Sequence, residues 1–308
     1  MRRQVALCLA LSAWPAAILQ QRPPQFRVAT DLVTIDVSVR RGRAPVTGLG
    51  ARDFLVTDNG VAQTIELFEA ASLPLDVTVA LDTSGSMLSM MEPVRAHMQQ
   101  SARLLRQGDR MRLLSFADAV SQTSPFQPIG PDFAVPALTG GGMTSMYDGL
   151  VAALVPPRDG DRRHVVIAFT DGIDTVSVLN SEALLSVARQ SDSVLHLFLV
   201  VPGGVRPPPP PPALMHLNTR QIWSPVPVDD GFFALRATAR ETGGLFEMMY
   251  DTPDFPDALR RAIEDFRTSY VLRYRATGVA REGWHKVEVR LTKPRSATVR
   301  ARRGYFGG

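Results

Sequence analysis

The chain has 308 residues, 45% of them hydrophobic and 21% charged, a globular composition with length for about two domains of ~150 residues, which excludes disorder throughout. Lys and Arg number 34 against 30 Asp and Glu, and the resulting +4 is too small an excess to argue for nucleic acid. The single cysteine, Cys8, excludes a disulfide framework and cysteine-based zinc or iron–sulfur sites; the 5 histidines form no His-Glu-x-x-His pattern, which argues against a zinc hydrolase.

Met1-Arg2-Arg3-Gln4 followed by the apolar run Val5 to Leu11 has the form of a secretory signal, with weak cleavage sites at Ala13, Ala16 and Ala17. Residues 1–21 are therefore expected to be a signal peptide, and the protein to be secreted or periplasmic. No later segment reaches the length of a membrane helix, so no transmembrane helix is expected after signal removal. Phe26 to Val39 alternates apolar and polar residues. Asp53 to Phe68 holds two more alternating runs around Asp58-Asn59-Gly60, a hairpin signal.

From Leu75 the pattern changes to apolar strands followed by helical stretches. A strand at Leu75–Leu81 precedes a helix at Pro93–Gln107, with Pro93 suited to a first turn and Gly108 to the end. Strands at Met111–Phe116, His164–Phe169 and Val194–Val201 alternate with helices at Met146–Val155 and Ser181–Gln190. Such alternation implies a parallel sheet covered on both faces. Gly203 to Asp230 lacks periodicity, and its run Pro207 to Pro212 reads as an exposed polyproline-II loop, a stiff spacer. Helices at Phe232–Glu241 and Phe255–Arg267 flank a short strand at Leu245–Met248.

The last forty or so residues return to alternation at Tyr270–Arg275, Trp284–Leu291 and Ala297–Arg302. Strands at both ends have edges to hide, and pairing with one another hides them. The expected fold class is thus α/β, a doubly wound, mostly parallel sheet at 73–267, inserted in a small all-β domain built from 24–72 and 268–308. Arg290, Lys293, Arg295, Arg300, Arg302 and Arg303 are expected on the wet face of its last strands; contact with anionic lipid or polysaccharide is the alternative.

Val79-Ala80-Leu81-Asp82-Thr83-Ser84-Gly85-Ser86-Met87 follows the first apolar strand, at the end where ligands bind in open α/β sheets. Asp82, Ser84 and Ser86 alternate through a turn and bring oxygen donors together, which suits a hard cation such as Mg²⁺. Gly140-Gly141-Gly142-Met143-Thr144 and Phe169-Thr170-Asp171-Gly172 are two further oxygen-bearing loops at neighbouring ends. The plain alternative is a set of turn-forming and capping residues, the role expected for Asp148 and Asp174.

Asp82-x-Ser84-x-Ser86, Thr144 and Asp171-Gly172 resemble the complete metal-ion-dependent adhesion site of von Willebrand factor type A domains, over about residues 73–267. Asp31-Leu32-Val33, Val46-Thr47-Gly48-Leu49 with Asp53-Phe54, and Val299 to Phe306 resemble the exported bacterial von Willebrand factor A-related proteins. The resemblance implies that Ser84 and Ser86 bind the ion directly, Thr144 directly or through water, and Asp82 and Asp171 often through water. It further implies Mg²⁺, or Mn²⁺ or Ca²⁺, with one position open to a partner protein's exposed Asp or Glu. Rival readings are weaker. An aspartic protease needs Gly where Ser84 stands, an aspartyl phosphatase needs a carboxylate there, and no Gly-x-Gly-x-x-Gly follows the first strand. No Ser–His spacing supports a hydrolase, so no catalytic residue and no organic cofactor is expected. The alternative to a binding module is a structural envelope protein whose ion only stabilises loops.

Overall fold

A computed structural model describes residues 32–70, 73–155, 162–201, 230–250, 254–293 and 296–307. The expected signal peptide at 1–21 and the proline-rich segment 203–230, apart from Asp230, lie outside these residues. Asp31–Gly308 forms one unit. Its first strands are β1 (Leu32–Arg41), β2 (Ala44–Pro45), β3 (Phe54–Asp58), β4 (Val61–Gln63), β5 (Ile65–Ala70) and β6 (Leu75–Asp82). Then come α1 (Met91–Ser101), β7 (Arg110–Phe116), β8 (Val120–Pro128), α2 (Met146–Leu154), β9 (Arg163–Thr170), α3 (Ser181–Gln190) and β10 (Val194–Val200). The chain closes with α4 (Asp230–Glu241), β11 (Phe246–Met249), α5 (Asp254–Arg267), β12 (Tyr270–Arg275), β13 (Gly283–Leu291), β14 (Thr298–Ala301) and β15 (Gly304–Gly307).

The central sheet has six strands in the order β11-β10-β9-β6-β7-β8, with β8 antiparallel and the others parallel. Strand order departs from β6 in both directions, so the crevice between β6 and β9 is the topological switch point. Period-2 side chains send Val77, Val79 and Leu81 to the face covered by α1 and α5, where Met98 and Phe255 are fully buried. Ala80 faces the other layer, made by Leu150, Leu184 and Leu235 of α2, α3 and α4. The helix expected at 93–107 is shorter: α1 ends at Ser101 and a single 3₁₀ turn, Ala102–Leu104, follows.

Strands from the two chain ends pair with each other in two sheets, not one. One has the order β14-β1-β12-β5 with β2 on β1; the other runs β15-β13-β3-β4. They share a core of Ile35, Val37, Phe54, Val56, Leu272, Tyr274 and Val287. Asp58 sits fully buried in it. Its carboxylate is 2.8 Å from His285 Nδ1 and accepts hydroxyl bonds from Tyr274 at 3.0 Å and Tyr305 at 2.7 Å. Four strands from both ends thus meet on one carboxylate. Asn59 and Gly60, both with positive φ (45° and 84°), form the tight turn between β3 and β4.

The opposite face of β1 is polar and meets the central layers. Ser38 Oγ donates to Asp265 Oδ1 at 2.6 Å, and Arg40 Nη1 reaches the same oxygen at 2.8 Å. Arg300 binds Asp265 Oδ2, and Arg163 of β9 donates to Asp36 at 2.7 Å while its guanidinium lies 4.1 Å over Phe266. Arg302 pairs with Asp192 at 2.8 Å. Arg300 and Arg302 therefore leave the wet face and lace the terminal sheets to the α/β layers. Burial raises the Asp265 carboxyl, but Arg300, His196, Ser38 and Arg40 outweigh it and hold the group below its usual range.

Two buried histidines set an acid limit on this fold. His196 Nδ1 accepts the Leu245 N–H at 2.9 Å, so its neutral form carries the proton on Nε2, which lies 4.0 Å from Asp265. Burial lowers it to about 4, with Asp265 opposing and Arg300 and Arg40 assisting. His164 is bonded to Thr78 at 2.7 Å and Ser193 at 2.6 Å; burial, then the Arg112 charge, lowers it to about 3 against the pull of Asp76. Both histidines take up protons more readily when unfolded. Their stability is whole above the unfolded value near 6.5 and is lost as pH falls towards 4 and then 3. Between pH 7 and pH 5 the loss is expected to be on the order of 2 kcal/mol per histidine. Urea unfolding at the two pH values checks it; an unchanged midpoint contradicts it.

Candidate metal centre

At the C-terminal end of β6 the chain leaves the sheet through Asp82, fully buried, and climbs through Ser84 to Ser86, which is exposed. Asp82 is held from two sides. Its Oδ1 accepts the Ser84 N–H at 2.9 Å, and its Oδ2 accepts the Thr170 hydroxyl of the neighbouring strand β9 at 2.7 Å. Ser86 Oγ lies 2.6 Å from Asp171 Oδ2 and 3.2 Å from Ser84 Oγ. A serine has one hydroxyl proton; since that of Ser86 goes to Asp171, Ser84 is the donor to Ser86. Lone pairs on both serines are left for a cation.

Thr144 is tied by its backbone to the loop after Asp171, and makes no hydrogen bond to Asp82, Ser84, Ser86 or Asp171 among the described residues. Its N–H donates to Thr175 Oγ1 at 2.7 Å, and its carbonyl accepts from Thr175 and Val176 at 2.9 and 3.1 Å. The glycine loop before it lies against the serine loop, with Gly141 N donating to Thr83 O at 2.7 Å and Gly85 N to Gly142 O at 3.2 Å. A Cβ on Gly140 would stand 2.4 Å from Thr83 O, and one on Gly142, at φ +81°, 2.3 Å from the Asp118 carboxylate. Only glycine allows that approach.

Asp148 and Asp174 have capping roles. Asp174 Oδ1 accepts the Met146 N–H at the start of α2 at 2.8 Å, and Asp148 accepts the N–H groups of Val178 and Leu179 at 2.9 Å each. Thr170 and Thr175 carry no motif of their own; their signal is that they lie on the same segment as Asp171.

Charge separates this cluster from the other buried carboxylates. Asp76 has Arg110 and Arg162, Asp109 has Arg267 and Asp265 has Arg40 and Arg300, while Asp58 is held by His285 Nδ1 and the Tyr274 and Tyr305 hydroxyls. Among the described residues, Asp82 and Asp171 have no Lys, Arg or His partner. Burial pushes the Asp82 carboxyl up; the Ser84 and Thr170 hydrogen bonds oppose this, and the Asp171 charge adds to the rise. An uncompensated pair of buried carboxylates is costly and calls for a cation.

The donor set fits Mg²⁺. Adjacent ligands of an octahedron with ~2.1 Å metal–oxygen bonds are about 3 Å apart, and the Ser84–Ser86 separation of 3.2 Å is close to that edge. Ser84, Ser86 and Thr144 would hold the ion directly, while Asp82 and Asp171, each with donors already on both oxygens, would act through water. Among the described residues no group of three or more His, Cys, Asp or Glu gathers. This centre has only two carboxylates and owes the rest of its donors to hydroxyls.

No family model and no curated protein matches the chain. Solved structures do. A von Willebrand factor type A protein from Catenulispora acidiphila aligns over 89% of this chain and 73% of its own, at 11% identity and a TM-score of 0.50. Proximal thread matrix protein 1 from the mussel byssus aligns over 68% of this chain at 13% identity and a TM-score of 0.47, and the match spans half (50%) of the mussel chain. BatB from Bacteroides thetaiotaomicron aligns over 62% of this chain and 98% of its own, at 17% identity and a TM-score of 0.43. The fold is α/β and von Willebrand factor A-like. Asp82, Ser84, Ser86 and Asp171 lie at the switch point of that fold, with Thr144 on the loop beside them.

Proposed function

We propose that the protein is an exported binding module that captures an acidic side chain of a partner protein through a divalent cation held by Asp82, Ser84, Ser86, Thr144 and Asp171, without chemical turnover. The observation that carries this reading is the pair of buried carboxylates, Asp82 and Asp171, lacking a cationic partner among the described residues and joined to two serine hydroxyls that lead to solvent. Two carboxylates acting through water neutralise Mg²⁺ incompletely, so a further carboxylate entering the ion's shell is favoured. Adhesion or scaffolding is the role this chemistry serves, with the β strands of both chain ends as a small domain carrying the α/β unit. The basic-then-apolar run Met1 to Leu11 supports export.

Calorimetric titration with Mg²⁺ or Mn²⁺ tests the reading. Wild type is expected to bind one ion, and the Ser84→Ala, Ser86→Ala double variant to lose at least tenfold in affinity. Equal affinity in the two proteins would sink the metal centre. An ion that raises the melting temperature but supports no capture of acidic peptides would identify a loop-stabilising site in a structural envelope protein instead.

A further inference from the structure

The three loops beside the candidate centre are hydrogen-bonded to one another and carry large apolar side chains. Leu88 follows the serines, Met143 precedes Thr144, and Ile173, Val176, Val178 and Leu179 follow Asp171; all are exposed. Scattered exposed apolar residues are ordinary, but six on three loops that bond to one another at one end of the sheet mark an interaction surface. The loop after Asp171 is also pinned. Asp148 accepts the backbone N–H groups of Val178 and Leu179, Asp174 accepts the Ser177 hydroxyl at 2.5 Å, and Thr144 O accepts from Val176. Val178 is thereby held 92% exposed on an ordered backbone. A rigid loop that presents aliphatic side chains to water has its contact surface organised in advance.

Charge narrows the occupant. The loops 83–92, 138–145 and 171–180 contain no Lys or Arg. An anionic lipid surface or polysaccharide would meet no cationic side chain on them, and an acidic side chain has only the ion to approach. We infer that these side chains seat an extended segment of a partner protein in which the captured Asp or Glu is flanked by bulky aliphatic side chains. The ion reads the charge and Leu88, Ile173 and Val178 read the flanks. This inference rests on the metal-capture reading and adds the sequence class of the partner.

The test uses short immobilised synthetic peptides with a central Asp flanked by leucines or by serines, and a leucine-flanked Asn control, probed with the full chain in Mg²⁺ and in EDTA. The comparison protein is the triple variant Leu88→Ser, Ile173→Ser, Val178→Ser, whose changes lie at exposed positions; its Mg²⁺ binding heat reports that the centre is intact. Wild type is expected to retain leucine-flanked Asp at least tenfold better than serine-flanked Asp, only in Mg²⁺. The triple variant should bind Mg²⁺ normally and lose that preference, and Val178→Ser alone should lose about threefold. Equal retention of both Asp peptides by wild type in Mg²⁺, or a preference that survives in the triple variant, overturns the inference and leaves the capture reading standing. Retention that persists in EDTA or with Asn, or no retention while Mg²⁺ binds, overturns both.

Discussion

A chain ending at Thr268 is expected to lose cooperative folding altogether. The cut removes β12, which lies between β1 and β5, and with it Tyr270, Leu272 and Tyr274, which are 3%, 0% and 0% exposed. It also removes β13, the strand that joins β3 to β15, and β14, which covers the edge of β1. Ile35, Val37, Phe54 and Val56 would then face water, and β1, β3 and β5 would present open edges, a recipe for edge-to-edge association. Asp58 would lose its contacts with Tyr274, His285 and Tyr305 together and remain an unpaired carboxylate. Size-exclusion chromatography and amide exchange over residues 32–68 check the expectation. A soluble monomer with unchanged protection there would show that the N-terminal strands fold without the C-terminal ones.

Asp265→Ala is expected to destabilise the full chain by about 3–5 kcal/mol, the usual cost of removing one partner from a buried ion pair. The carboxylate side chain is 3% exposed, and those of its partners Arg40 and Arg300 are 15% and 22% exposed, so both cations would remain largely out of water without a counter-charge. The adjacent Glu264 is the control. Its pair with Arg260 is open to solvent, with side-chain exposures of 47% and 43%, and Glu264→Ala should change stability by less than about 1 kcal/mol. Urea unfolding of the two variants at pH 7 decides between a buried clamp and a surface ornament. Equal, small effects would mean that α5 is held to the terminal sheets by apolar packing alone.

The parallel sheet was legible because β6, β9 and β10 are short apolar runs separated by helical periodicity, and each strand lies within two residues of its expected bounds. The placement of Asp82, Ser84 and Ser86 was legible for a related reason: once the end of β6 is known, they fall on the loop that leaves the switch point. Strand β8 was not. Its sequence, Val-Ser-Gln-Thr-Ser-Pro-Phe-Gln-Pro, is polar and carries two prolines, which only an edge strand with an unpaired side tolerates. The lacing between the terminal sheets and the α/β layers was also hidden, since Ser38 and Asp265 are 227 positions apart and no local pattern pairs them. Arg300 and Arg302 alternate with apolar neighbours as a solvated strand face does; only the fold reveals α5 and Asp192 opposite them. The exposed apolar side chains beside the candidate centre were unreadable too, because Val178 and Leu179 look like core residues until Asp148 is seen holding their backbone at the surface.

The most direct measurement is an anomalous difference map from crystals of the full chain soaked in Mn²⁺, which scatters anomalously and takes the same oxygen ligands as Mg²⁺. The account expects one strong peak about 2.1 Å from the hydroxyl oxygens of both Ser84 and Ser86, with Asp82 reaching it through a water. A peak bound elsewhere, or none near the two serines at a Mn²⁺ concentration that saturates the calorimetric signal, would contradict it.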